Sequence, residues 1–201
     1  MKVAIIGDTH AGARGDKRPF QNSMRRFFKD EFFPKLREDN ITNIIHTGDL
    51  FDRRKYINFY TLQLIKECFL DVMRKEGISC RIIYGNHDVS YKNTNSLNSL
   101  DLLLKEYSNI KVVDKPSIFV YNGARIALVP WINEENEEET INFIDTNSSV
   151  DLLCGHFDIM NFEFTPGVKN VEKGLDPNIF ANYKQIISGH YHIPSSMFNI
   201  T

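Results

Sequence analysis

Cysteine is scarce in this sequence: Cys68, Cys80 and Cys154 are the only three, no two form a CxxC pair, and each sits among Phe, Ile or Leu. A thiolate zinc site and a disulfide framework are thereby excluded, and all three read as reduced core residues of a cytoplasmic protein. Long apolar runs are missing as well. Nothing approaches the roughly 18–20 residues of a membrane span, so no membrane partner is expected. Residues 1–8 turn acidic too early for a secretory signal. Internal repeats and low-complexity tracts are absent, which excludes solenoid and linker-rich architectures. What is present, 42% hydrophobic and 12% aromatic residues in 201 positions, suits one well-buried core and is too little for two domains of usual size.

The net charge of -2 conceals an asymmetry. Residues 1–100 carry 17 Lys+Arg against 12 Asp+Glu, and residues 101–201 carry 7 against 14. The acidic excess is densest at Glu134, Glu135, Glu137, Glu138 and Glu139, which reads as a solvated loop entering a helix. The basic excess clusters at Arg14, Lys17, Arg18, Arg25 and Arg26, and again at Arg53, Arg54 and Lys55. Such clusters suit a polyanionic substrate, although solvated helix faces give similar patterns.

Short apolar runs alternate with helical spacing. Strands are expected over 3–6, 43–47, 79–84, 152–154 and 185–188, with a tight hairpin of 118–121 and 125–129 across Asn122-Gly123. Helices are expected over 20–37, with Pro34 kinking it or ending it early, and over 57–75, 97–107 and 140–144. The alternation predicts an α/β sandwich with much parallel pairing.

The chemistry sits where those strands stop. Gly7 runs into Asp8 and His10, Gly48 into Asp49, Gly85 into Asn86, His87 and Asp88, Gly155 into His156, and Gly189 into His190 and His192. Carboxyl ends of strands in open α/β sheets form the crevice that binds ligands. Glycine before each ligand type would let the backbone turn sharply and approach an ion closely. Two carboxylates, one amide oxygen and four histidines are more donors than one ion needs, and they suffice for two if one carboxylate bridges. Nitrogen and oxygen donors without thiolate suit Mn²⁺, Fe²⁺ or Zn²⁺. Two such ions roughly 3.5–4 Å apart are the usual device for in-line displacement at phosphorus. Singly, each histidine reads as a core residue and each aspartate as a helix cap. Jointly they do not, and only His46, inside a strand, is read as structural.

Asp8-x-His10, Gly48-Asp49, Gly85-Asn86-His87-Asp88, Gly155-His156 and Gly189-His190-x-His192 resemble, in order, the motifs of calcineurin-like metallophosphoesterases. The stretches Asp8-Thr9-His10-Ala11-Gly12, Gly48-Asp49-Leu50-Phe51-Asp52 and 129–136 are more narrowly similar to the SbcD-type double-strand-break repair nucleases, and within these to the T4-type phage recombination nucleases. The resemblance implies a four-layer α/β/β/α sandwich with a dinuclear metal site at the strand carboxyl ends. It implies that Asp8, His10 and His192 hold one ion, that Asn86, His156 and His190 hold the other, and that Asp49 bridges. Mn²⁺ is the first expectation, with Mg²⁺, Fe²⁺ or Zn²⁺ as substitutes. His87 would meet the phosphate or protonate the leaving oxygen, with Asp88 orienting it, in keeping with a histidine beside an acid being a good proton donor near neutral pH. Arg14, Lys17, Arg53, Arg54 and Lys55 become candidates for the DNA backbone.

The implied activity is DNA phosphodiester hydrolysis in recombination and repair, as a 3′→5′ exonuclease and single-strand endonuclease. The implied partners are DNA, an SMC-like ATPase subunit and a second copy of the chain. Further strands and a capping domain are expected beyond residue 201, so the chain is expected to be truncated. Two other readings stay open: a phosphatase or small-molecule phosphodiesterase on the same scaffold, and a non-catalytic DNA-end-binding subunit. The basic loops and the Pro130-Trp131 stretch favour the nuclease, and intact His87-Asp88 speaks against the non-catalytic subunit.

Overall fold

A computed structural model describes residues 2–171, 174–193, 196–197 and 199–201. Strands β1 (Ala4–Ile6), β2 (Asn43–His46), β3 (Ser79–Ile83) and β4 (Ile110–Val113) form one all-parallel sheet in that order. Strands β5 (Ser117–Tyr121), β6 (Ala124–Val129), β7 (Leu152–His156) and β10 (Ile186–Gly189) form a second sheet in the order β10-β7-β6-β5. A small hairpin, β8 (Glu163–Thr165) with β9 (Val168–Lys169), stands apart from both.

The two sheets face one another, and the alternation of side chains along each strand explains why. Ile45, Ile83, Val113, Ile126, Leu128 and Cys154 point into the gap between them. Their neighbours Ile44 and Ile82 point outward under the helices of the first sheet, and Ala127, Val129 and Leu153 under those of the second. Strands buried on both faces must be apolar at successive positions, which is why they read as unbroken runs. The result is the expected mixed α/β layering of helices, sheet, sheet and helices.

The helices depart from expectation in instructive ways. The first runs continuously over 18–38 as Arg18–Arg26, a π-helical stretch Phe27–Phe32, and Phe33–Glu38. Pro34 neither ends nor breaks it. The wide π turn, in which Phe33 N–H reaches back to the Phe28 carbonyl, makes room for the ring and for its missing N–H. The second, capped by Asn58 accepting from Tyr60 N–H at 2.9 Å, runs from Phe59 to Lys75 with its own π stretch at Lys66–Leu70. The third is only Ser99–Leu103, shorter than 97–107, because Asn98 caps it by accepting from Asp101 N–H and the chain must straighten into β4, which the sequence reading did not anticipate. The acidic run does lead into a helix, Glu137–Thr146, whose first turn carries Glu137, Glu138 and Glu139 where the helix dipole favours anions. The hairpin turns on Asn122 and Gly123, both at positive φ, as a two-residue turn requires. Asn199–Thr201 pair alongside β10, and Phe198 lies outside the described residues.

All three cysteines are free and buried, and burial pushes the Cys80 and Cys154 thiols up to about 12, so they stay unreactive. No helix among the described residues is long and apolar enough to cross a membrane. Leu128, fully buried between the sheets, sets the scale of that contact: Leu128→Ala is expected to lower unfolding free energy by about 2–5 kcal/mol, read by urea denaturation.

Candidate metal centre

Every ligand-type residue singled out by spacing lies in a loop at the carboxyl end of β1, β2, β3, β7 or β10, or at the last strand residue itself, and together they converge. The loops after β1 and β2 are zipped by backbone hydrogen bonds: Asp8 N–H to the Gly48 carbonyl at 3.0 Å, His10 N–H to that of Asp49 at 3.0 Å, and Ala11 N–H to that of Leu50 at 2.9 Å. Asp8, His10, Asp49 and His190 all take positive φ, at 50°, 43°, 54° and 92°. Non-glycine residues held there concentrate at functional sites. The glycines before the ligands do a different job from the expected sharp turn. Among Gly7, Gly48, Gly85, Gly155 and Gly189 only Gly48 has positive φ. Close approach matters more: a Cβ on Gly48 would lie 2.6 Å from Gly85 N and 2.8 Å from His156 Nδ1, and one on Gly85 would strike the Asp49 carboxylate.

Asp49 lies at the middle of the cluster. Its Oδ2 is 3.5 Å from His10 Nε2 and 3.4 Å from His156 Nε2, while its Oδ1 accepts from His87 N–H at 2.7 Å. To one side, His10 Nε2 faces His192 Nε2 at 2.9 Å, with Asp8 Oδ1 3.8 and 3.7 Å from the two nitrogens. To the other, Asn86 Oδ1 is 3.0 Å from both His156 Nε2 and His190 Nδ1. Two donor groups thus share one carboxylate.

The tautomers indicate what belongs between them. His156 Nδ1 lies 2.7 Å from the Thr47 carbonyl, which can only accept, so the proton sits on Nδ1. Neutral His156 would then aim the Nε2 lone pair at Asn86 Oδ1 and Asp49 Oδ2, three acceptors facing one another. A proton or a cation relieves that arrangement, and the donor set of imidazole, carboxylate and amide oxygen fits a divalent ion. With protons alone, burial disfavours the imidazolium but the Asp49 charge outweighs it, raising His156 to about 9. Asp49 itself is held well below the usual carboxylate range: burial would raise it, and the charge of His156 overrides. Burial and the His156 charge lower His190 to about 4, leaving it neutral.

His87 stands beside this cluster, its ring edge-on to His10 at 4.8 Å. Its Nδ1 donates to the Asp52 carbonyl at 2.5 Å, leaving Nε2 for a reacting group. Asp88 does not orient that ring, contrary to expectation. Its fully buried carboxylate is saturated by backbone: Oδ2 accepts from Asp49 N–H at 2.7 Å and Gly85 N–H at 2.9 Å, and Oδ1 from Leu50 N–H at 3.1 Å. Asp88 therefore fixes the loops, and Asp52 fixes His87. His46 has the structural place expected of it: Nδ1 accepts from Gly48 N–H at 3.2 Å, Nε2 faces Thr9 Oγ1 at 3.3 Å, and burial lowers it to about 4.

The basic candidates follow β1 and β2 on this same side. Arg14, Lys17 and Lys55 are exposed and Arg54 is half-buried. Arg53 instead ties the two loops, 3.5 Å from the Asp16 carboxylate and stacked 4.8 Å over Tyr56. Residues to which the motifs gave no role complete the surroundings. Thr47 and Asp52 act through main-chain carbonyls, Asp52 Oδ1 also lies 3.4 Å from His10 Nδ1, and Asp158 Oδ1 stands 3.9 Å from His190 Nε2. The carbonyl contacts could not be found from side-chain type, because every residue has that group; Asp158 is an acidic side chain that no motif marked.

This fold and this cluster define a phosphoesterase. The chain matches the family model for calcineurin-like phosphoesterase over residues 1–194 and belongs to that family. Among characterised relatives it is similar to exonuclease subunit 1 of enterobacteria phage T4, 35% identical over 200 residues that cover 100% of this chain and 58% of that protein. It is also similar to the DNA double-strand break repair protein Mre11 of Sulfurisphaera tokodaii, 27% identical over 95% of this chain and 49% of that protein. The same protein of Sulfolobus acidocaldarius is 28% identical over 96% and 50%. The chain thus spans about half the length of these relatives.

Because metal-free His156 is protonated near neutral pH, cation binding must displace its proton. Affinity for a divalent ion is expected to rise as pH climbs toward about 9, by up to about tenfold per pH unit for one proton released. Calorimetric Mn²⁺ titration in buffers of different ionisation enthalpy counts that proton, and zero release would contradict the assignment.

Proposed function

We propose that this chain is a Mn²⁺-dependent DNA nuclease that hydrolyses phosphodiester bonds at a two-metal centre. One observation carries the reading: the Asp49 carboxylate lies between two sets of donors, His10 on one side and His156 on the other, directly beside His87. In it Asp8, His10 and His192 hold one ion, Asn86, His156 and His190 hold the second, and Asp49 is shared. Bound divalent ions would supply Lewis-acid stabilisation of the phosphate charge and acidify the attacking water.

The remaining work falls to the chain. His87, its Nδ1 proton held by the Asp52 carbonyl, presents Nε2 to the leaving oxygen. As the imidazolium it gives up the Nε2 proton, and the same carbonyl stabilises its charge before transfer. Arg14, Lys17 and Lys55, exposed on the loops after β1 and β2, and Arg54 beside them neutralise flanking phosphates. Exonuclease subunit 1 and Mre11 are by name a subunit and a DNA break repair protein. That supports DNA as the substrate and assembly with at least one further subunit; an SMC-like ATPase and a second copy of the chain are the partners this reading adds.

End-labelled linear duplex DNA, bis-(p-nitrophenyl) phosphate and p-nitrophenyl phosphate, each with Mn²⁺, test the reading together. Turnover of DNA and the diester but not the monoester is expected, and turnover of the monoester alone would point to a phosphatase. His87→Ala is expected to slow hydrolysis about 10²–10⁴-fold with ion binding intact. Asp49→Ala is expected to abolish activity, and calorimetry finding both ions at full occupancy would refute its shared role.

A further inference from the structure

The chain has a single tryptophan, Trp131. Its ring centroid lies 5.3 Å from that of His190 and 5.9 Å from that of His156. Its backbone is pinned: N–H donates to the Tyr84 carbonyl at 2.9 Å, and its carbonyl accepts from the side-chain amides of Asn95 and Asn136, each at 3.1 Å. Beside it opens a cleft of about 220 Å³ walled by Trp131, Ile132, Leu175, Asp158 and Glu137. Two of those walls also border the candidate metal centre, since Asp158 is the carboxylate facing His190 Nε2. None of the roles assigned so far uses this cleft.

We propose that the cleft is a nucleobase subsite, holding the base of the nucleotide whose phosphate sits among the metal-ligand residues, with Trp131 as its stacking wall. The inference rests on the nuclease reading and adds where the nucleoside goes. The lining decides between the parts of a nucleotide. Among the described residues it carries two carboxylates and no cation, so it repels a phosphodiester backbone, which the basic loops of the first sheet attract. A base is neutral and flat, and its π-face matches an indole face with Ile132 and Leu175 alongside. Sequence-tolerant stacking of this kind is worth about ten- to a hundredfold in affinity. Asp158 Oδ1 already accepts from Asn170 Nδ2 at 2.6 Å and Tyr191 Oη at 2.8 Å, so Asp158 Oδ2 and Glu137 supply the acceptors for the exocyclic amino groups of adenine, cytosine and guanine. The volume of about 220 Å³ leaves room for a single base against the indole.

A sole tryptophan makes its own emission the reporter. The full chain, saturated with Mn²⁺, is titrated with deoxyadenosine and deoxycytidine monophosphates, with deoxyribose 5-phosphate and with inorganic phosphate. Saturable quenching by the nucleotides, at least tenfold tighter than by the sugar phosphate, is expected. By calorimetry, Trp131→Phe should keep deoxyadenosine monophosphate affinity within about threefold and Trp131→Ala should lose tenfold or more. Equal response to sugar phosphate and nucleotide would overturn the subsite. Wild-type hydrolysis of bis-(p-nitrophenyl) phosphate and DNA without nucleotide quenching would overturn the subsite while leaving the nuclease reading intact. Nucleotide quenching without DNA hydrolysis would support the subsite and overturn the nuclease.

Discussion

The buried Asp88 carboxylate is the constraint on which the centre depends. Three main-chain N–H groups from two loops, those of Gly85, Asp49 and Leu50, converge on its oxygens. Without it, three buried amides and the close passage of Gly48 by Gly85 would have no electrostatic glue. The loop after β1 is zipped onto the loop after β2, and His156 Nδ1 reaches the Thr47 carbonyl. The placement of the β2 loop therefore propagates to Asp8, His10 and His156. Burial and the nearby Asp49 push the Asp88 carboxyl up to about 7. The amide donors work in the opposite sense, stabilising the anion.

The charge asymmetry along the chain becomes an asymmetry in space. Residues 1–100 contribute β1, β2 and β3 and the basic loops that follow the first two. Residues 101–201 contribute β4 and the whole second sheet, with Asp158 and Glu137. Ligands come from both sheets, so the centre sits at a seam between a basic side and an acidic, aromatic side. A polyanion lying across that seam would meet opposite electrostatics on its two sides. Neither half could build the centre alone.

The cluster was legible because its ligand types recur at one kind of place, the end of an apolar run, and five recurrences are hard to obtain by accident. Its supports were not. Thr47 and Asp52 contribute carbonyls, which no side-chain pattern encodes, and Asp88, paired with His87 by the resemblance and by adjacency in sequence, serves three backbone amides instead. The sheets were legible where strands are buried on both faces, as at Ile44-Ile45 and Ile82-Ile83. β4 (Ile110–Val113) was missed because, as the edge of its sheet with Lys111 exposed, it lacks that unbroken apolar signature. The passage of a helix through Pro34 depends on a π turn whose cause lies in packing: Phe28, Phe33 and Phe69 form an aromatic cluster with Phe28 stacked on Phe69 at 4.6 Å. Local propensity cannot see the second helix that supplies Phe69.

Four site residues at positive φ, each at a cost of about 1–3 kcal/mol, would be a heavy load for a short stretch of backbone if it stood alone. It does not. Asp8 at φ 50° has its carboxylate fixed by His190 N–H at 3.0 Å, and His190 at φ 92° is held by that same bond. Asp49 at φ 54° is held by Asp88 through its own N–H and by His87 N–H through its carboxylate. His10 at φ 43° donates its N–H to the Asp49 carbonyl at 3.0 Å, so all four are restrained by hydrogen bonds to main-chain groups or to Asp88, leaving Asp49 Oδ2, Asn86 Oδ1 and the imidazole nitrogens turned inward. A centre assembled this way has its donors aimed by main-chain hydrogen bonds, the kind of outer support that fixes the orientation of metal-binding side chains.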